Sequence, residues 1–103
     1  MTDDTLPAIH DNVAAHRFEM IVERHAAVAT YTIEGDTITF IHTVVPEALR
    51  GRGIARQLVE FALASARERG LKVVPQCEVF EAYMRKHAQT RDLLADPALF
   101  DRP

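Results

Sequence analysis

The sequence predicts a single α/β domain in which an antiparallel β-meander precedes a strand-helix-strand unit and C-terminal helices. Three observations support this fold class. Apolar and polar residues alternate from Arg17 to Val45, the period becomes helical at Ile54, and a short apolar run follows Gly70. A period of two is typical of a half-buried strand, whereas apolar residues three and four positions apart indicate an amphipathic helix. At 103 residues the chain has room for one hydrophobic core.

Three strands form the predicted meander. Charged and apolar residues alternate over residues 17–23, and a second alternating run with interleaved threonines follows over residues 27–33. Residues 34–36, Glu-Gly-Asp, have the composition of a tight turn, and the third run, over residues 37–45, is rich in β-branched residues. Pro46 ends this strand because proline donates no backbone hydrogen bond. Short connections between the strands predict antiparallel pairing.

The helix after the meander is predicted to begin at Ile54. One of its faces is apolar and comprises Ile54, Leu58, Phe61, Ala62 and Ala66, whereas charged residues occupy the opposite face. Gly70 stands where a left-handed C-cap is expected, and residues 71–74 form a short apolar strand that Pro75 ends. A strand, a helix and a strand in this order imply a right-handed crossover onto a parallel neighbour.

A second helix is predicted over residues 79–87. Val79 and Tyr83 are expected to face inward, with Phe80 and Met84 as further candidates. The tail, which contains Leu93, Leu94, Leu99 and Phe100, is expected to pack on the domain as a short helix and an irregular end. Residues 1–11 carry three aspartates and are expected to be flexible. The domain is therefore predicted to comprise residues 1–103.

Composition and charge narrow the class of protein. Hydrophobic residues make up 48% and charged residues 26% of the chain, as in folded soluble domains. The net charge of -3 argues against nucleic-acid binding, which ordinarily needs a basic face. Residues 1–11 lack the basic start and apolar core of a signal peptide, and no apolar run approaches the roughly 20 residues that span a bilayer. With Cys77 as its single cysteine, the chain is expected to be cytoplasmic, without membrane partners.

The most informative motif is Arg50-Gly51-Arg52-Gly53-Ile54-Ala55, between the third strand and the first long helix. Unpaired N–H groups and the helix dipole favour a phosphate at such a turn, and glycine lets the backbone approach the anion closely. A helix-capping loop without a ligand is the alternative. Without a Gly-Lys-Ser/Thr ending or a third glycine, the motif is neither a nucleotide triphosphatase loop nor a dinucleotide fingerprint.

Together with His42-Thr43-Val44-Val45-Pro46 before it and Pro75-Gln76-Cys77 after it, this motif resembles the small, minimal branch of the GNAT-type N-acetyltransferase superfamily. The resemblance extends from about Phe18 to Leu94. Arg50, Gly53 and Ala55 match the superfamily's coenzyme A motif, Arg/Gln-x-x-Gly-x-Gly/Ala, and Pro-x-Cys is the mark of the small branch. The resemblance implies a GNAT-like fold and acetyl-coenzyme A as cosubstrate.

The resemblance also assigns residues to the coenzyme. Backbone N–H groups of the turn, here Gly51 to Ala55, hold the pyrophosphate in such proteins, and the pantetheine arm pairs with the preceding strand, here Val44 and Val45. In larger relatives a tyrosine near the position of Tyr83 protonates the departing thiolate; packing in the core is the alternative role. The sequence departs from the family at Glu78, where many relatives have proline or a small residue, and at His87-Ala88-Gln89, where they have His-Pro-Glu.

Acetyl transfer needs a nucleophile, a base and a donor for the departing thiolate. Cys77 could attack the thioester and form an acyl-enzyme, or line the site as a small buried residue. His42 could act as a base, since its reference pKa of about 6.5 suits proton transfer at neutral pH, or be a hydrogen-bonded core histidine. A carboxylate beside Cys77 disfavours its thiolate, which favours direct transfer to the acceptor. The other histidines show no metal-ligand spacing with Cys77, so no metal is expected.

The leading hypothesis is therefore an acetyl-coenzyme A dependent N-acetyltransferase whose acceptor is an unidentified amine, either a small molecule or a protein lysine. The first alternative is a non-catalytic domain that binds or senses acyl-coenzyme A through the same loop. The second is a small interaction module in which the phosphate loop is incidental.

Overall fold

The computed structural model describes residues 9–101 and contains one sheet in which neighbouring strands follow chain order. Its strands are β1 (Ile9–Asn12), β2 (Arg17–Val22), β3 (His25–Glu34), β4 (Thr37–Val44) and β5 (Lys72–Pro75). The α-helices are α1 (Ile54–Glu68) and α2 (Glu78–Lys86), and short 3-10 helices span Val13–Ala15, Glu47–Leu49, Ala88–Leu93 and Leu99–Asp101. The strands β1 to β4 pair antiparallel, whereas β4 and β5 pair parallel. The predicted fold class, a meander followed by a strand-helix-strand crossover, is confirmed.

The core lies between the sheet and the two α-helices. Both helices contact β4 and β5, and α1 also crosses β2 and β3. The rings of Phe40 and Phe80 stack with their centroids 4.0 Å apart, and both side chains are fully buried. An aromatic pair of this kind is worth about 0.5–1.5 kcal/mol beyond its buried area. The Phe40–Phe80 contact therefore fixes α2 against β4 at the point where β4 leaves β5.

The opposite face of the sheet carries no helix within the described part of the chain. Ile21, Val44 and Val74 project from this face and are 49%, 55% and 37% exposed. Alternation places Met20, beside Ile21, and Val73, beside Val74, in the core, where both are fully buried. One face of the sheet therefore supplies the core and the other meets solvent.

A β-bulge interrupts β4 one residue after Phe40. Tyr31 pairs with Phe40 and Thr30 pairs with His42, so Ile41 is an extra residue in β4. An extra residue reverses the alternation of side chains between the two faces beyond it. Thr43 consequently lies opposite the buried Ala29, on the helix-covered face, and His42 lies opposite Thr30 on the bare face.

The structure corrects the sequence analysis at three places. Ile9–Asn12, most of which belongs to the segment expected to be flexible, forms β1 and pairs with β2, whereas residues 1–8 lie outside the described residues. Phe61 and Val79, which were expected to face inward, are 40% and 36% exposed. Phe61 touches Phe18 by its edge, but α1 extends there past the short strand β1. Val79 faces the space between the helices instead of the sheet.

Several finer predictions are confirmed. The helix α1 begins at Ile54, and Gly70 adopts the left-handed conformation expected after its C-terminus, with a φ of 68°. Phe80 and Met84 are both fully buried. The tail packs on the domain through 3-10 turns, and Leu94 bridges to Val73 while the Ala95 N–H donates to the Val73 carbonyl at 2.9 Å. The tail thus covers the outer edge of β5.

Candidate functional site

The turn before α1 has an open backbone surface. Gly51 and Gly53 have φ angles of 82° and 75°, in the left-handed region that favours glycine. Gly53 is the N-cap of α1 and offers no side-chain acceptor to the first N–H groups of the helix. A Cβ added at either glycine would meet no heavy atom within 4 Å. The helix N-terminus therefore faces free space, as an anion site requires.

Most of the predicted loop residues border this space, but Arg52 does not line it. A shallow cavity of about 160 Å³ is lined by Val45, Leu49, Arg50, Gly51, Gly53, Ile54, Ala55 and Arg56. The arginines are held in different ways: Arg50 Nε donates to the Val45 carbonyl at 3.2 Å, and Arg52 pairs with Glu23 at 3.2 Å. Arg56 Nε donates to Glu60 at 2.9 Å. Exposed ion pairs of this kind contribute only about 0–1 kcal/mol, so an anion in the cavity can compete with Glu60 for Arg56.

Cys77 lies at the point where β4 and β5 separate. The ladder between these strands ends with Phe40 opposite Pro75, and the Cys77 N–H donates to the Phe40 carbonyl at 2.8 Å. The side chain of Cys77 is 6% exposed, and its Sγ lies 3.2 Å from the Thr43 hydroxyl oxygen. Beyond this point the chains diverge and leave a cleft of about 370 Å³, here called the thiol cleft, lined by Ile41, His42, Thr43, Gln76, Cys77, Glu78 and Val79.

His42 borders the thiol cleft from the bare side of the sheet. Its side chain is exposed, and none of the residues 9–101 forms a hydrogen bond with its imidazole. The interpretation of His42 as a hydrogen-bonded core histidine is therefore wrong. The structure brings His42 and Cys77 to the same cleft, but the group that contacts the sulfur is the Thr43 hydroxyl. Thr43 belongs to the motif recognised in the sequence, yet only the bulge at Ile41 turns it toward Cys77.

A backbone edge connects the loop with the thiol cleft. Since β5 pairs with β4 only as far as Phe40, the described part of the chain offers no strand partner to residues 41–44 on that side. Val44 stands at the end of this edge and is 55% exposed, and Val45 lines the loop cavity. An extended ligand lying between the loop and Cys77 could form backbone hydrogen bonds here, as an added strand does.

Tyr83 lies in a different groove, between α1 and α2. Its hydroxyl donates to Glu60 at 3.0 Å, and its ring stacks on His87 with centroids 3.9 Å apart. Burial, and then the hydrogen bond to Glu60, raise the pKa of Tyr83 above its ordinary value. Six residues of helix correspond to about 9 Å, so Tyr83 is separated from Cys77 along α2. The structure therefore places Tyr83 against Glu60, in the middle of α1, and away from the thiol of Cys77.

This interhelical groove has a volume of about 370 Å³ and is lined by Arg56, Val59, Val79, Ala82, Tyr83, Lys86 and His87. Arg56 is shared with the loop cavity and Val79 with the thiol cleft, so the groove adjoins both and carries the cationic surface beside α2. Arg56 and then Tyr83 lower the pKa of Glu60 by donating hydrogen bonds to its carboxylate. Glu60 is thus held as an anion that fixes both Arg56 and Tyr83.

Among residues 9–101, no three histidine, cysteine or carboxylate side chains are arranged to hold a metal ion. No helix in the same range has both the length and the apolar character needed to cross a bilayer.

Comparisons with known proteins agree with this geometry. The family model described as GCN5-related N-acetyl-transferase matches residues 17–93. Protein NATD1 of Xenopus tropicalis is 37% identical over 62 residues, which cover 59% of this chain and 57% of that protein. The NATD1 proteins of Gallus gallus and Homo sapiens are each 39% identical to this chain over 62 residues. These residues are 59% of this chain and 56% and 55% of the two relatives, respectively. The matched segment thus spans little more than half the length of these curated relatives.

The family model begins at the first residue of β2 and ends within the 3-10 helix after α2. It therefore includes the loop, the free edge of β4 and the thiol cleft, the three features that the sequence motifs mark. Because the match covers most of the chain, the chain belongs to the GCN5-related N-acetyltransferase family.

Proposed function

We propose that this protein transfers the acetyl group of acetyl-coenzyme A to an amine. The observation that carries the proposal is the free edge of β4, which joins an anion site at its carboxyl end to a cleft beside Cys77. A ligand with a phosphate group at one end, an amide-containing arm and a thioester at the other end matches this sequence of surfaces. Acetyl-coenzyme A has that construction and supplies an activated acetyl group.

The residues present fit the coenzyme. The pyrophosphate is assigned to the open space beside Gly51 and Gly53, where the first N–H groups of α1 have no side-chain cap. The amides of the pantetheine arm are assigned to the backbone of Val44 and Val45, at the end of the free edge of β4. Tyr83, which contacts Glu60, is assigned to the outer part of the coenzyme site on the α1–α2 groove and not to proton transfer.

The reaction needs a neutral amine at the thioester carbonyl. The amine nitrogen forms a bond to the carbonyl carbon, the carbon-sulfur bond breaks, and the thiolate leaves. One amine proton goes to the departing sulfur, and the proton released from the ammonium form goes to a base and then to solvent. His42 is proposed as that base because its imidazole is exposed at the cleft and is engaged by no other described residue.

Direct transfer is favoured over an acyl-enzyme on Cys77. A thiol is activated by a base, a cation or a helix N-terminus beside it. Cys77 is the N-cap of α2, but within residues 9–101 the hydrogen-bond partner of its sulfur is the Thr43 hydroxyl, which is neither a base nor a cation, and the next residue, Glu78, carries a carboxylate. Cys77 and Thr43 accordingly form the wall against which the acetyl group rests.

The test is turnover of acetyl-coenzyme A by the full chain with a panel of primary amines. Release of the free thiol, together with mass spectrometry of the acceptor, should show an acetylated amine. Stabilisation of the fold by acetyl-coenzyme A without any product would establish the alternative, a binding or sensing domain. Absence of both stabilisation and product at millimolar acetyl-coenzyme A would overturn the proposal.

A further inference from the structure

The two ends of the free edge of β4 differ in charge. Arg50 and Arg56 line the loop cavity, and Arg56 and Lys86 line the adjoining groove. The thiol cleft contains none of these cations. Of the seven residues that line it, Glu78 is the one with a formal charge when His42 is neutral. The end of the site that is assigned to the phosphates of acetyl-coenzyme A is therefore cationic, and the end beside Cys77 is anionic.

Glu78 is an available carboxylate. It is the first residue of α2 and its side chain is exposed, and none of the residues 9–101 donates a hydrogen bond to it or forms an ion pair with it. By contrast, Glu81 of the same helix is paired with Arg85 at 3.3 Å. Glu78 stands in the first turn of α2, at the positive end of the helix dipole. Glu78 therefore presents an unpaired negative charge at the mouth of the cleft.

This carboxylate has no favourable interaction with the phosphates of acetyl-coenzyme A, which are anionic and are assigned to the opposite end of the edge. Within the cleft its favourable partners are a cation arriving from solvent and, briefly, His42 when the imidazole holds the proton taken from the amine. The reacting nitrogen must lose its charge before it attacks, so a lasting ion pair requires a second positive group on the acceptor.

We propose that the acceptor is a primary amine that carries a second cationic group, and that Glu78 binds this second group. The inference rests on the proposed acetyltransferase function. Polyamines and lysines in basic peptide segments share this chemistry. A cleft of about 370 Å³ suits one slender alkylammonium chain, since pockets for small ligands begin at about 300 Å³.

A matched series of acceptors tests the proposal with the full chain. The series comprises 1,4-diaminobutane, 4-amino-1-butanol and 4-aminobutyrate, which have the same reacting end and a positive, neutral or negative far end. Because a solvent-exposed ion pair is worth about 0.2–1 kcal/mol, kcat/KM should be roughly 1.5- to 5-fold higher for the diamine than for the amino alcohol. The amino acid should be the poorest acceptor, and added salt should reduce the differences.

Variants separate the role of Glu78 from a general effect of charge. Glu78→Gln should remove the preference for the diamine, and Glu78→Lys should reverse the order of the diamine and the amino acid. Glu34→Gln is the matched control for Glu78→Gln, because it changes the net charge by the same amount. Glu34 lies at the β3–β4 turn, at the other end of β4, so this variant should keep the wild-type order of acceptors. Thermal melting of each variant checks that the fold is retained.

The possible sources of the acceptor are compared in a second pair of measurements. The value of kcat/KM for spermidine tests whether a polyamine is the acceptor. The value for a lysine peptide with flanking arginines, compared with that for the same peptide with flanking alanines, tests whether a lysine in a basic segment is the acceptor. Equal kcat/KM across the charge series, or a preference that survives Glu78→Gln, would overturn the inference while leaving the acetyltransferase function intact. Failure to acetylate any amine would instead refute the proposed function, and the inference with it.

Discussion

Replacing Gly53 with alanine tests the anion site with little disturbance elsewhere. The added Cβ meets no protein atom within 4 Å, so it clashes with nothing in the free protein. Its cost to folding comes from the left-handed backbone, where φ is 75°. A Cβ in this conformation costs about 1–2 kcal/mol. For a domain of this size we expect the melting temperature to fall by roughly 4–16 °C.

Gly35 provides the matched control. It stands in the β3–β4 turn with a φ of 60°, and a Cβ there also meets nothing within 4 Å. Gly35→Ala should therefore destabilise the fold by a similar amount. The two variants differ in one respect, because only the Cβ at position 53 enters the space beside the first N–H groups of α1.

The effect on binding should distinguish the two glycines. Loss of one charge-assisted hydrogen bond costs about 1.5–3 kcal/mol, so Gly53→Ala should raise the Kd for coenzyme A roughly 10- to 150-fold. Gly35→Ala should leave it unchanged. Calorimetric titration with coenzyme A, done well below both melting temperatures, measures the difference. Equal affinities for the two variants would refute the assignment of the pyrophosphate to this loop.

Two other predictions concern single side chains. If transfer is direct, Cys77→Ala should retain most of the turnover, and His42→Ala should lower kcat by about 10²–10⁴-fold. Peptide mapping would instead show an acyl-enzyme mechanism if an acetyl thioester formed on Cys77 as fast as turnover. Burial, together with the hydrogen bond that its hydroxyl donates to Asp11, raises the pKa of Tyr31 to about 12. Because an unfolded tyrosine ionises near pH 10, this stabilisation is complete below about pH 10 and is lost as the pH rises to 12. Urea unfolding across this range should show a smaller decline for Tyr31→Phe than for the wild type; equal declines would contradict the assignment to Tyr31.

Local patterns in the sequence predicted most of the fold. The alternation around Phe18, the turn at Gly35 and the change of period at Ile54 each reflect interactions within a few residues, and each predicted element is present. The turn before α1 was predictable for the same reason, because glycine and an uncapped helix start are local properties. The strand β1 was missed because its four residues gain their conformation from pairing with β2.

The arrangement of the thiol cleft depends on contacts that a local pattern does not contain. Strict alternation along β4 places His42 on the same face as Phe40, whereas the bulge puts Thr43 there. Nothing in the residue types around Ile41 marks this position, which lies one residue beyond the last pair of the β4–β5 ladder. Val79 was misplaced for a related reason: α1 and α2 leave a groove between them, and the helical period alone does not reveal it.

The bulge at Ile41 makes the phase of β4 depend on its register against β3 and not on the bulged residue itself. Deleting Ile41 would remove the extra residue and leave His42 opposite Thr30 and Thr43 opposite Ala29, so both side chains would keep their faces. A slip of one residue between β4 and β3 beyond Phe40 would exchange the two faces up to Val44, turning the hydroxyl beside Cys77 to solvent and the imidazole toward the core. The arrangement around Cys77 therefore tolerates the loss of Ile41 but not a shift in how β4 pairs with β3.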